Sequence, residues 1–161
     1  MNWPAIGLML ALAACAGEDL AALRGVQPRG SSYAETLARE YRAFALQRSA
    51  NGSWRTAEHF AAKGRAALAG RLPQPDPVDP SLPAAEAVAL RGARERLLLA
   101  LSRSAAERFP PFAAVALARF DCWAERSRAW VDSSEAVRCR REFEENMLTL
   151  EEALKNPNLN P

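Results

Sequence analysis

β-branched residues are scarce in this chain of 161 residues. Isoleucine occurs once, at Ile6, and Ala and Leu dominate an apolar fraction of 49%. With Glu and Arg also abundant, that balance disfavours strands and favours helix throughout. Histidine occurs once (His59) and cysteine three times (Cys15, Cys122, Cys139), with no CxxC pair. Without a CxxC pair the common dithiol redox motif is absent, and no metal or cofactor is expected. There is no Gly-rich phosphate loop, GxSxG, HExxH or paired-acid motif, so no enzyme class is indicated. The net charge is only +2, with arginines interleaved among acids (Glu35, Arg39, Glu40, Arg42; Arg94, Glu95, Arg96), the pattern of solvated helix faces. No nucleic-acid partner is expected.

Charge is also missing from the first 17 residues, MNWPAIGLMLALAACAG; the first charged side chain is Glu18. Within them Ala5 to Ala14 is unbroken apolar or small. As a helix it would span about 15 Å, half a bilayer core, so it reads as the hydrophobic region of a signal peptide rather than a membrane span. Leu12-Ala13-Ala14-Cys15 resembles the lipobox of bacterial lipoproteins. That resemblance implies a signal peptide over 1–14 and lipidation at Cys15, which becomes the first mature residue, acylated at sulfur and α-amine. Several acyl chains on one residue anchor stably. Ala16, where aspartate would retain a lipoprotein in the inner membrane, implies the outer membrane. The residues alone also fit simple cleavage to a soluble periplasmic form, or a buried cytosolic helix.

Residues 15–31 read as a lipid-anchored tether with one helical turn, 32–155 as a helical domain and 156–161 as a disordered tail. Ser32 with Glu35 forms a capping box. After it Tyr33, Leu37, Tyr41, Phe44 and Arg48 step by three and four along a first helix, which Asn51-Gly52 ends. Ser53 is expected to cap a second helix over 54–69, where Gly64 and the alanines admit a close neighbour. GRLPQPDPVDPSLP (70–83) forbids helix and favours an extended run, either a linker or a strap across one bundle, the latter preferred. A third helix over 84–108 buries Val88, Leu90, Leu97, Leu98 and Leu101, and Phe109-Pro110-Pro111 stops it. The fourth runs over 112–130. The fifth runs over 134–154, capped by Asp132 and Ser133, with Phe143, Met147, Leu150 and Leu154 inward. The expected fold is all-α: about five helices in a bundle, a Pro-rich strap and a C-terminal αα-hairpin.

Cys122 and Cys139 lie symmetrically about Trp130–Val131, the expected turn of that hairpin. At 1.5 Å per residue Cys122 sits about 12 Å before Trp130 and Cys139 about 9 Å after Ser133, so the two thiols come level across the pair. In an exported protein such a pair persists as a disulfide. His59, beside Glu58 and one helical turn from Lys63, reads as a structural or surface histidine rather than a general base. Trp54, Trp123 and Trp130 read as packing residues, with a ligand slot as the other use. The two helices over 32–69 faintly resemble a tetratricopeptide unit, but no period recurs.

The segments ALARFDCWAE, RCRREFEENMLTLEEAL, DPVDPSLP and AEHFAAKGRAAL, with the lipobox, resemble the N-terminal helical region of OmpA-family outer-membrane lipoproteins of α-proteobacteria. The likeness rests on Phe120-Asp121-Cys122-Trp123 and on Cys139-Arg140 and covers most of 15–155. In that family a peptidoglycan-binding domain normally follows, and these residues carry no peptidoglycan-binding motif. The expectation is a non-catalytic envelope lipoprotein: a helical interaction or structural module anchored in the outer membrane, facing the periplasm, its partners being envelope proteins. The alternative is a soluble periplasmic module in which the strap and tryptophans cover a small apolar ligand.

Overall fold

The computed structural model describes residues 17–129 and 133–156. Within them the chain is all-helical. Seven helices follow one another: α1 Glu18–Arg24, α2 Tyr33–Ala50, α3 Trp54–Leu68, α4 Ala84–Ser102, α5 Ala105–Arg108, α6 Pro110–Ala129 and α7 Ser134–Lys155. The two beyond the expected five are the short ones. Helix α1 lies in the segment expected as a tether, yet it docks on α3 and α2 and buries Leu20 and Leu23. Its first amides are satisfied from outside, as Asp19 and Leu20 N–H donate to the Glu58 carboxylate at 2.8 and 3.2 Å.

Helix α5 arises because the expected third helix breaks. Ser104 adopts a left-handed backbone (φ 62°), and the redirected chain turns Ala105 and Phe109 into the core. Pro110 then opens α6 rather than closing a helix. A proline at the first helical position forfeits no hydrogen bond, because that N–H has no intrahelical partner anyway.

Local signals account for several helix ends. The Ser32 side chain accepts from Glu35 N–H at 3.2 Å, and the Glu35 carboxylate takes the Ser32 hydroxyl (2.9 Å) and Gly30 N–H (3.2 Å). Gly52 supplies the left-handed turn between α2 and α3 (φ 75°). Ser133 caps α7 through Ala136 N–H. Ser53, expected as a cap, makes no side-chain cap bond; α3 starts without one. Trp130, Val131 and Asp132 lie outside the described residues, as do residues 1–14, expected as a signal peptide, Cys15, and 157–161, expected as a tail.

Helices α2 and α3 pack on each other, α6 packs on α7, and α2 lies against α6. Gly64 sits at a close approach: a Cβ there would meet Leu23 Cδ2 of α1 at 2.9 Å and Tyr41 Cβ of α2 at 3.4 Å. On α4 the buried stripe is Ala87, Leu90, Ala93, Leu97 and Ala100. Val88 falls one position off it and is 61% exposed, against expectation, while Leu98 and Leu101 are only partly covered. On α7 Cys139, Phe143, Met147 and Leu150 recur at helical spacing, and Phe143 meets Phe120 and Trp123 at ring separations of 5.8 and 5.9 Å. The Cys122–Cys139 disulfide joins α6 to α7 with their Cα atoms 5.8 Å apart.

Candidate functional site

Two places on the molecule gather chemistry. The first is a chain of polar side chains running inward from the surface. Its deepest member is Asp121, fully buried in the apolar middle of α6. Tyr41 of α2 donates its hydroxyl proton to Asp121 Oδ2 at 2.5 Å, Lys63 of α3 donates to the same oxygen at 2.5 Å, and Asp76 N–H donates to Oδ1 at 2.8 Å. Lys63 directs its other two donors to Asp76 Oδ1 (2.7 Å) and the Gln74 carbonyl (2.9 Å). All three of its N–H groups are thereby used. Outermost is His59, whose Nε2 lies 2.8 Å from Asp76 Oδ2.

Burial pushes the Asp121 carboxyl up to about 6, aided by the Asp76 charge and opposed by Lys63. At Asp76 burial acts in the same upward direction, but the bonds and charges of His59 and Lys63 outweigh it and hold the carboxyl below its ordinary value. Tyr41 is driven well above the ordinary phenol range by burial and by the Asp121 charge. The network holds residues 74–76 against α3 and α6. Arg94 of α4 adds bonds to the carbonyls of Pro75 (3.2 Å) and Asp76 (3.1 Å), and Arg128 of α6 binds the Pro77 carbonyl (3.3 Å) and Asp79 (3.4 Å). The Pro-rich segment is thus tied down by polar bonds from three helices. The network's hydroxyl, the Tyr41 phenol, is buried and engaged, and its part-exposed member is the His59 imidazole. A lone aspartate inside the run AAVALARFDCWA was the signal for it, together with His59 and Lys63 at helical spacing.

The second place is a groove of about 710 Å³ between α1 and α3. Leu20 and Ala62 lie along it, Trp54 stands at its edge 62% exposed, and Arg24 and Arg55 supply cations. Trp54 and Trp123 are not brought together. Trp123 is buried against Phe143, its indole N–H donating to Glu86 at 2.6 Å, and Ser127 donates to the same carboxylate oxygen at 2.7 Å. Among the described residues every buried side-chain nitrogen and oxygen has a hydrogen-bond partner, and no group of three or more His, Cys, Asp or Glu is placed to hold a metal ion. No described helix is long and apolar enough to cross a membrane. No protein-family model, curated protein or solved structure matches the chain.

Proposed function

We propose that this chain is a non-catalytic envelope lipoprotein: a helical interaction or structural module held through acylated Cys15 at the inner leaflet of the outer membrane, facing the periplasm and contacting envelope proteins. The observation that carries this reading is the Cys122–Cys139 disulfide, buried between α6 and α7. Such bonds persist in oxidising compartments, and the periplasm is one. The lipobox-like Leu12-Ala13-Ala14-Cys15 supplies the matching export and anchoring signal. In this reading the five long helices form one bundle strapped by residues 70–83, and the chain belongs with the N-terminal helical regions of OmpA-family lipoproteins.

The test is acylation. Wild-type chain expressed in a Gram-negative host should incorporate labelled palmitate and sediment with the outer membrane. Cys15→Ser should lose the label and remain unprocessed or leave that fraction. A wild type that is unlabelled and fully soluble after lysis overturns the reading. A second reading, a periplasmic binding module for a small apolar ligand, is favoured by the groove between α1 and α3, which falls within the ~300–1,000 Å³ range of ligand sites.

A further inference from the structure

We propose that the groove between α1 and α3 binds a single-chain anionic amphiphile, a long-chain carboxylate, with its head against Arg24 and Arg55 and its chain running along Leu20 toward Ala62. This rests on the second reading above and adds to it the chemical class and polarity of the ligand.

Charge decides the class. The one carboxylate lining the groove is Glu58, and it is turned into the α1 N-terminus, taking the amides of Asp19 and Leu20. His59, at the margin, has its Nε2 on Asp76. Arg55, by contrast, makes no hydrogen bond or ion pair among the described residues, and Arg24 makes only a neutral bond, to Ser49 Oγ at 2.8 Å. The uncompensated charge of the groove is therefore positive. Planar guanidinium groups match a carboxylate in bidentate geometry better than any other side chain.

Position decides the orientation. Arg24 ends α1 beside Ser49 of α2, and Trp54 and Arg55 begin α3, so both cations and the exposed indole gather at one end. Ala62 lies eight residues beyond Trp54 along α3, about 12 Å away at 1.5 Å per residue, and between these ends Gly17, Leu20 and Ala21 give a small or apolar surface beside the engaged Glu58 and His59. An indole exposed at the mouth of an apolar groove beside two cations suits the junction of an acyl chain with its polar head.

The experiment is equilibrium dialysis of radiolabelled dodecanoate, below its micelle concentration, against the full chain carrying Cys15→Ser, so that the result does not depend on anchoring. One saturable site per chain is expected. It should weaken at least tenfold in Arg24→Gln/Arg55→Gln and be lost in Ala62→Trp, each variant checked for unchanged helical circular dichroism and melting. No saturable uptake by the parent chain, or equal uptake by the double Gln variant, overturns the proposal. If 1-dodecanol binds as tightly as dodecanoate, the head-group assignment is wrong while the apolar-ligand reading survives. If neither binds, both fall. Co-flotation with anionic vesicles without uptake of monomeric dodecanoate also overturns it, assigning the groove to a bilayer surface.

Discussion

Replacing Lys63 with methionine keeps the aliphatic stem and removes one charge from the most buried polar cluster in the molecule. The wild-type ammonium has three donors and three acceptors, one each on Gln74, Asp76 and Asp121. Its loss leaves Asp76 and Asp121 as neighbouring carboxylates, the second without any solvent contact. Tyr41 O–H and Asp76 N–H still bond to Asp121 but bring no compensating charge. Removing one partner of a buried ion pair costs about 3–5 kcal/mol, a large share of the ~5–15 kcal/mol that holds a typical domain.

The pH dependence separates this account from a packing defect. In the wild type the Asp121 carboxyl already sits at about 6, so its folded form binds a proton more readily than the unfolded chain does. Stability therefore gains from this group as pH falls through 6 toward the ordinary carboxyl value. Asp76, held below its ordinary value, opposes this only at lower pH, losing its contribution as pH drops through its folded value. Lys63 lowers both carboxyls. Without it both rise, and proton uptake by the folded state relieves the repulsion. Urea unfolding of Lys63→Met should thus show a loss of about 3–5 kcal/mol at pH 7 that shrinks by pH 5. Residues 73–79 should become the first proteolytic cut. A loss under about 1 kcal/mol at pH 7, or one that does not change between pH 7 and 5, refutes the reasoning.

The hairpin staple and the α1 dock give two further expectations. Cys122 and Cys139 should resist alkylation until a reductant is added, and Cys122→Ser should lower stability by about 2–4 kcal/mol with little change in helical circular dichroism, because Phe120, Trp123, Phe143 and Met147 remain packed. Free labelling of both thiols in protein recovered from the periplasm would contradict the pairing. Gly64→Leu should force α1 off α3, costing about 1–3 kcal/mol as overpacking, and raise amide exchange at Leu20 and Leu23 selectively. Uniform exchange across α1 and α7 would refute a local dock.

Much of the architecture is written in short-range chemistry. The stripes on α2 and α7, the Ser32–Glu35 cap and the Gly52 turn each follow from residues a few positions apart, and helix geometry makes that spacing readable; the same geometry brings Cys122 and Cys139, 17 positions apart, level across a helix pair. What failed was where one position decides between neighbours. Val88 reads as core until Ala87 and Leu90 take the buried stripe, and residues 84–108 read as one helix until Ser104 bends the chain to seat Phe109. Residues 15–31 read as a tether with one helical turn, and a seven-residue helix has too little apolar surface to be stable alone. Only the docking of Leu23 over Gly64, and Glu58 capping α1 from 38 residues away, supply what it lacks. The same holds for both candidate sites. Asp121, Lys63, Asp76 and Tyr41 come from α6, α3, the Pro-rich segment and α2, and the groove needs α1 laid on α3. Their carboxylates and cations are ordinary in sequence, and became a buried network and a charged groove only when packing removed the water between them.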